Sequence, residues 1–400
     1  MRIVHVIITL DPAWGGPPRV AARMAAAQAA LGHEVRILSY GTPQIQQAVK
    51  EMTASIPGFS GVDLDYLEAT GWKETLHAAS ARARLRELLG RFDVVHIHNV
   101  WDSIVRAGAA EAQRRGKPYF IQPNGILDVW CMQQKRLKKL LALRLIYRRM
   151  LDGAAGLCLG NDDERQAIAP LGLKAPATLV PLNAVFPEEV KHLPPAGNFY
   201  KRYPQLNGQP FIVFLGRLHM KKGLDFLADS FGIFAKSNPT THLVVIGHDE
   251  GARADFQQRI AQQGVQDRVH LVGPLHGEAK WEAFRDAACF TLPSRQEGFS
   301  IAITEALACG LPVVISNECH FPEVAQAGAG EVVELNARKI AEAFGRVFAG
   351  DATRACMSQA AQRLVETRFN CLLAARDLVD VYQRAIGQPV MAACQSRLAG

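Results

Sequence analysis

"FIVFLGRLHMKKG", residues 211–223, decides the fold, because it begins a second time what the first residues of the chain begin once. An apolar run ends on a glycine and passes into a basic turn closed by another glycine. A strand buried on both faces that hands over to a helix reads this way. Upstream, the same pattern runs through "IVHVIITL", "HEVRILS", "DVVHIH" and "AAGLCLG", with helical spacing over 18–31, 73–90, 103–115 and 161–169. Downstream it continues in "THLVVIG" (241–247), "RVHLVG" (268–273), "ACFTLP" (288–293) and "LPVVIS" (311–316). Buried strands alternating with helices predict an α/β protein with parallel sheets, built twice over.

Between the two series, the prolines, glycines and charges of "VFPEEVKHLPPAGNFYKRYPQLNGQP" (185–210) interrupt any regular element. The expected division is therefore an amino-terminal domain over 1–185, a linker over 186–210 and a carboxyl-terminal domain over 211–370. The last helical pattern, "CLLAARDLVDVYQRAIG" (371–387), fits either domain by periodicity alone.

A chain of 400 residues is long for one core and comfortable for two. No stretch reaches the roughly 18 to 20 apolar residues of a membrane span. The start, "MRIVHVIITLDPAWGG", reads as a first strand and not as a secretion signal, so a cytoplasmic location is expected. The eight cysteines form no CxxC pair and read as reduced thiols, with no metal site. The net charge of +7 suits an acidic ligand or an anionic surface. Nucleic acid fits poorly, because the basic residues are not interleaved with exposed aromatics.

Doubly wound sheets bind ligands beyond the carboxyl ends of their strands, so the residues there are the candidates. After the first strand, Gly15 and Gly16 precede Pro17 and Pro18, which fits a helix amino terminus facing phosphate or a tight turn. After "FIVFLG", Arg217 and Lys222 offer a guanidinium fork and a point charge for a diphosphate, or form a solvated basic loop. In "DVVHIH", His98 stands at the strand end and His96 one step deeper, where a structural role is more common. In "PSRQEGFSIAITEALACG" (293–310), Glu297 falls just before a helix and Glu305 about two turns inside it. Gly298 allows close backbone approach, and the amides of Phe299, Ser300 and Ile301 open the helix. Two acids in an apolar run need polar partners, either sugar hydroxyls or a capping and salt-bridge role.

Taken together, "GRLHMKKG", the two-glutamate motif with "EALACGLPVVIS" and the early "GG" resemble the retaining glycosyltransferases of family 4, and bacterial surface-polysaccharide enzymes in particular. The resemblance runs over nearly the whole chain. It implies the GT-B fold, two Rossmann-like domains with parallel sheets facing a central cleft, and a final helix (about 371–400) returning to the amino-terminal domain. It implies a UDP- or GDP-sugar donor, with Gly15 and Gly16 against its phosphates and Arg217 and Lys222 clamping the diphosphate. Glu305 would hold the ribose, Glu297 and the amides after it the sugar, and the backbone near Val272 to Leu275 the base. His98 would meet the sugar's primary hydroxyl. His98, Glu297, Arg217 and Lys222 are thus the catalytic candidates. Two positions depart from the family's usual glycines: Ala184 in the linker, and Ser300 in the two-glutamate motif, where the amide survives.

A retaining transfer without an obvious nucleophile implies front-side attack, with cationic side chains in place of a metal, since no D-x-D triplet stands near the first domain's strand ends. Hydrolysis would need two carboxylates across one bond. The run "KRLKKLLALRLIYRRM" (135–150) carries seven basic residues and no acid among leucines, which suits an anionic leaflet or a solvated helix with its leucines packed inward. With Asn124, Gly125 and Trp130 just upstream as acceptor contacts, the expected acceptor is a lipid-linked glycan at the cytoplasmic face of the inner membrane. A small soluble acceptor, a non-catalytic nucleotide-sugar-binding protein and a sugar-nucleotide 2-epimerase are the alternatives.

Overall fold

The computed structural model describes residues 1–68, 71–298 and 300–387. The chain divides into two compact units, Met1–Phe186 with Phe369–Gly400, and Pro187–Arg368.

The first unit is a seven-stranded sheet: β1 (Arg2–Thr9), β2 (Glu34–Tyr40), β3 (Val62–Leu67), β4 (Val94–His98), β5 (Tyr119–Gln122), β6 (Gly156–Leu159) and β7 (Ala177–Leu179). Its order is β3-β2-β1-β4-β5-β6-β7, parallel throughout. The alternation along each strand builds two cores. Val4, Val6, Val95 and Ile97 face the layer that contains the helix Ser103–Arg114. Ile3, Ile7, Val94 and Phe120 face the helices Gly16–Ala30 and Cys371–Ala385.

That last helix belongs to the first unit. Tyr382 is fully buried there, its ring 4.8 Å from that of Phe120. The chain re-enters beside the point where it left, since Val185 donates to the Phe369 carbonyl (2.9 Å) and accepts from Cys371 (3.0 Å).

The second unit holds β8 (Phe211–Leu215), β9 (His242–Ile246), β10 (Val269–Gly273), β11 (Cys289–Leu292), β12 (Val313–Ser316) and β13 (Gly330–Val333). The order β10-β9-β8-β11-β12-β13 is the Rossmann order 3-2-1-4-5-6, and the first sheet shows it too with one strand added. In each unit the order reverses at one crevice, between β1 and β4 and between β8 and β11.

Two expectations change. The helical pattern over 73–90 is two helices, Gly71–His77 and Ala79–Leu88, broken at Ala78 with φ 49°. Buried Glu74 explains the break: it accepts from Tyr40 Oη (2.6 Å) and the Ser80 amide (2.9 Å), capping the second helix where no Ser, Thr or Asn does. The stretch 186–210 is no free linker. Asp286 caps the helix Asn198–Arg202 through the Gly197 and Phe199 amides (2.7 and 2.9 Å), and the buried Phe199 ring lies 5.3 Å from Phe211.

Candidate functional site

In the second unit, the turn after β8 lies against the turn after β11, its strand neighbour at the crevice. Gly223 makes this possible. Its φ is 67°, and a Cβ there would lie 1.8 Å from the Pro293 carbonyl oxygen. Arg295 fastens the contact, donating from its amide to the Lys221 carbonyl (2.8 Å) and pairing with Asp225 (2.5 Å). Gly223→Ala is expected to destabilise by at least the 1–3 kcal/mol of a strained φ, seen as a fall in thermal midpoint; an unshifted midpoint contradicts this.

The close contact brings Lys222 Nζ to Glu297 Oε1 at 2.6 Å, with Ser294 Oγ donating to the same oxygen. Burial opposes the Glu297 charge, but Lys222 and Ser294 outweigh it and hold the carboxyl below its ordinary value. The pair's contribution to stability is therefore full above about pH 4.5 and is lost as pH falls through the depressed value. A Cβ on Gly216 would sit 3.7 Å from Lys222 Cε, so the lysine lies over the end of β8. Arg217, half-exposed, pairs with Glu250 at 2.9 Å.

The helix of the two-glutamate motif starts at Ile301 with Ser300 as its cap, so buried Glu305 stands little more than one turn inside. Its carboxylate meets Lys280 Nζ at 2.9 Å, and the lysine lies over the Trp281 ring. The partners that this apolar run demands are thus two lysines. Gly298 joins β11 to the helix, Phe299 lies outside the described residues, and Val272 and Leu275 stand half-buried at the end of β10.

In the first unit, Gly15 (φ 87°) and Gly16 begin the helix Gly16–Ala30, with nothing within 4 Å of a Cβ at either position. His98 ends β4 as expected but is fully buried. Its Nε2 lies 2.9 Å from His5 Nδ1, and His5 Nε2 lies 2.7 Å from Gln28 Oε1. His96, paired in register with His5, is within reach of Gln122 Oε1 (3.2 Å) and Tyr382 Oη (2.5 Å). The three imidazoles could hold a metal by proximity, their ligand atoms lying within 4.8 Å of one another.

Burial pushes His5 down to about 4, against the Gln28 hydrogen bond, and holds His96 and His98 well below the ordinary value with help from the neighbouring imidazoles. All three are neutral in the fold and take up protons on unfolding. Stability is therefore expected to fall as pH drops below 6.5, by up to about 1.4 kcal/mol per pH unit per histidine. Half-buried His33 and His270 and buried His242 shift the same way. Urea unfolding near neutrality and about two pH units lower checks this; equal midpoints would contradict it.

Asn124 adopts φ 58° and bonds Asn99 Oδ1 (2.9 Å) and Gln122 (2.8 Å). The Gly125 amide donates to Glu164 Oε1 at 2.8 Å, and Gly160 donates to the other oxygen at 2.8 Å. Burial raises the Glu164 carboxyl despite both amides. Trp130 is half-buried in the helix Val129–Gln133, which Asp128 caps.

The segment 135–150 forms the helix Arg136–Ala142, a π turn at Leu143–Tyr147 and the start of the helix Arg148–Asp152. Its leucines do not all pack inward: Leu137 is 85% exposed, Leu145 71% and Leu141 59%. Beside them is a surface hollow of about 470 Å³ lined by Leu140, Leu143, Arg144, Arg148, Pro170 and Leu171. A D-x-D sequence, Asp63 and Asp65, lies within β3 and not at a strand end; Arg36 and Arg84 hold its carboxylates at 2.8 and 2.6 Å. No helix among the described residues is long and apolar enough to cross a membrane.

Sequence reasoning missed Gln28, His5, Glu74, Glu164, Glu250 and Lys280. Each has a partner distant in sequence, at 23 residues for Gln28 with His5, 34 for Glu74 with Tyr40, 39 for Glu164 with Gly125 and 33 for Glu250 with Arg217, and the fold brings these together.

Known proteins resemble this chain in both of its units. Residues 15–183 match the "Glycosyl transferase 4-like domain" model and 198–364 the "Glycosyl transferases group 1" model. The chain is 30% identical over 181 residues to "Amylovoran biosynthesis glycosyltransferase AmsK" of Erwinia amylovora, covering 43% of this chain and 44% of that one. It is 25% identical over 350 residues to the "GDP-mannose:cellobiosyl-diphosphopolyprenol alpha-mannosyltransferase" of Xanthomonas campestris, covering 83% of each. The chain spans under half the length of the first relatives it matches, 44%, 35% and 42%. Among solved structures, Anabaena HepE in complex with UDP and glucose superposes with a TM-score of 0.73 at 16% identity, over 96% of this chain and 100% of that one.

Proposed function

Since the chain belongs to the group 1, family 4-like glycosyltransferases of GT-B fold, matched in both of its units, we propose that it moves a hexose from a UDP- or GDP-sugar to a growing glycan with retained configuration. One observation carries this reading. At the crevice between β8 and β11, Arg217 and Lys222 stand over a strand end, and Glu297 and Glu305 flank a helix amino terminus beside them. Sugar departure leaves negative charge on the β-phosphate, and positioned cations stabilise that charge where it develops. In this reading Glu305 accepts the ribose hydroxyls.

In the reaction, the bond from the anomeric carbon to the phosphate oxygen breaks, and the acceptor oxygen bonds the same face of that carbon. The acceptor's proton passes to the leaving phosphate. Arg217 and Lys222 supply the positive charge, so a divalent ion is not required. Purified protein given UDP- and GDP-hexoses with lipid-linked oligosaccharide is expected to yield a product of unchanged anomeric configuration, in chelator as well. Donor hydrolysis without transfer, or an inverted product, would overturn this.

The acceptor reading rests on 135–150. Exposed leucines among seven cations suit a surface of anionic lipid, on which a lipid-linked glycan is carried. AmsK is named for amylovoran biosynthesis and the Xanthomonas relative for a diphosphopolyprenol acceptor, which supports a membrane-borne substrate. Each basic residue near such a surface contributes about 1 kcal/mol. Replacing Arg136, Lys138 and Arg144 by glutamine is expected to lower partition onto phosphatidylserine vesicles by about 10²-fold. Equal partition on neutral vesicles, or none on either, would remove the membrane from the account.

A further inference from the structure

The histidine cluster under the end of β4 has a hydrogen-bond polarity that its neighbours dictate. Gln28 Oε1 can only accept, so His5 Nε2, 2.7 Å away, carries the hydrogen. His5 is neutral, so its Nδ1 offers a lone pair, and His98 Nε2 at 2.9 Å must donate to it. On the other side, Gln122 Nε2 donates to Asn124, which leaves Gln122 Oε1 to accept from His96 Nε2. His96 Nδ1 then accepts from Tyr382 Oη. The lone pairs of His5 and His96 are therefore spent within the protein. The cluster is a hydrogen-bonded chain and not a cage of three converging lone pairs.

Two buried atoms of the cluster are left over, the donor Gln28 Nε2 and the acceptor His98 Nδ1. His98 Nδ1 is buried and has no hydrogen-bond partner among the described residues. Leaving such an acceptor unmet is unfavourable, because it has given up water without gaining a donor. It stands at the end of β4, at the crevice where the order of the first sheet reverses and where this fold binds ligands.

We propose that Gln28 and His5 are positioning residues that lock His98 in its Nε2–H form, so that Nδ1 receives the hydrogen of a sugar hydroxyl. Polarity is set at Gln28, on the helix Gly16–Ala30, and passed through His5 to the strand end. His98 in this state is an acceptor and cannot serve as an acid. The inference rests on the glycosyl-transfer reading for the identity of the hydroxyl, but not for the tautomer.

Nitrogen-15 NMR of the ligand-free protein, labelled at histidine, tests the two parts separately. The expected spectrum has a pyridine-type Nδ1 and a pyrrole-type Nε2 at His98, and UDP-glucose or GDP-mannose moves the Nδ1 resonance towards its hydrogen-bonded position. Gln28→Met, which keeps the shape and removes the acceptor, is expected to mix the His98 tautomers and lower kcat about tenfold with little change in donor KM. A pyrrole-type Nδ1 in the wild type would overturn the lock whether or not the variant folds. So would stoichiometric capture of all three imidazoles by zinc alone, or an unchanged tautomer and kcat in a folded Gln28→Met. A locked tautomer whose Nδ1 ignores every nucleotide sugar that binds would refute the sugar contact and leave the lock standing.

Discussion

Lys222→Met is expected to reduce sugar transfer by about 10²–10³-fold in kcat, the range seen when one preorganised donor to a developing anion is removed. The charge sits 2.6 Å from Glu297 with little access to water, and such a cation acts with little screening. The variant also takes away the main influence that holds the Glu297 carboxyl down, while burial, which raises it, remains. The Glu297 titration should therefore move upward in the same protein that loses activity. Arg217→Met removes a half-exposed cation already shared with Glu250, so its loss should be smaller. Full activity in Lys222→Met, with nucleotide release at the wild-type rate, would refute the charge-stabilisation account.

Glu305→Gln is expected to show the largest stability effect. Lys280 and Glu305 are both nearly inaccessible, and removing one member of a buried pair costs about 3–5 kcal/mol, because the other charge stays where it was. Lys280→Met combined with Glu305→Gln should recover most of that stability, since the charge goes with its partner. Nucleotide affinity separates structure from function here. If Glu305 grips ribose, the double variant folds well and still binds nucleoside diphosphate at least tenfold more weakly. Restored affinity in the double variant would reduce Glu305 to a packing role.

Much of the architecture was legible because buried parallel strands leave continuous apolar runs, and "FIVFLG" and "DVVHIH" coincide with β8 and β4. Strands β3, β7 and β13 were not legible. "VDLDYL" alternates acid with apolar residues at a sheet edge, and β7 is three residues long. The break at Ala78 was hidden too, because the group that satisfies the second helix's amides is Glu74, a residue the helical pattern had absorbed.

In the candidate site, residue types at strand ends could be read, but their partners could not. Glu297 and Glu305 announced that something polar must meet them. Which lysines do so depends on the packing of the 220–223 turn against Pro293 and on the placement of the helix Gly277–Asp286. His98 looked like an open polar group from its position. The register that sets His5 beside His96 shows it as the end of a buried chain.

The return of the helix Cys371–Ala385 to the first unit has a consequence for biosynthesis. Tyr382, Leu378 and Ala375 complete a core whose other walls, Ile3, Ile7 and Phe120, leave the ribosome far earlier. At about 5–20 residues per second, the intervening unit alone takes roughly 10–40 s to translate. By the end of that time Pro187–Arg368 has all its strands and can close, while the amino-terminal half waits with one greasy face uncovered. A nascent chain stalled near residue 368 should therefore carry a finished second half and a first half that recruits holdase chaperones.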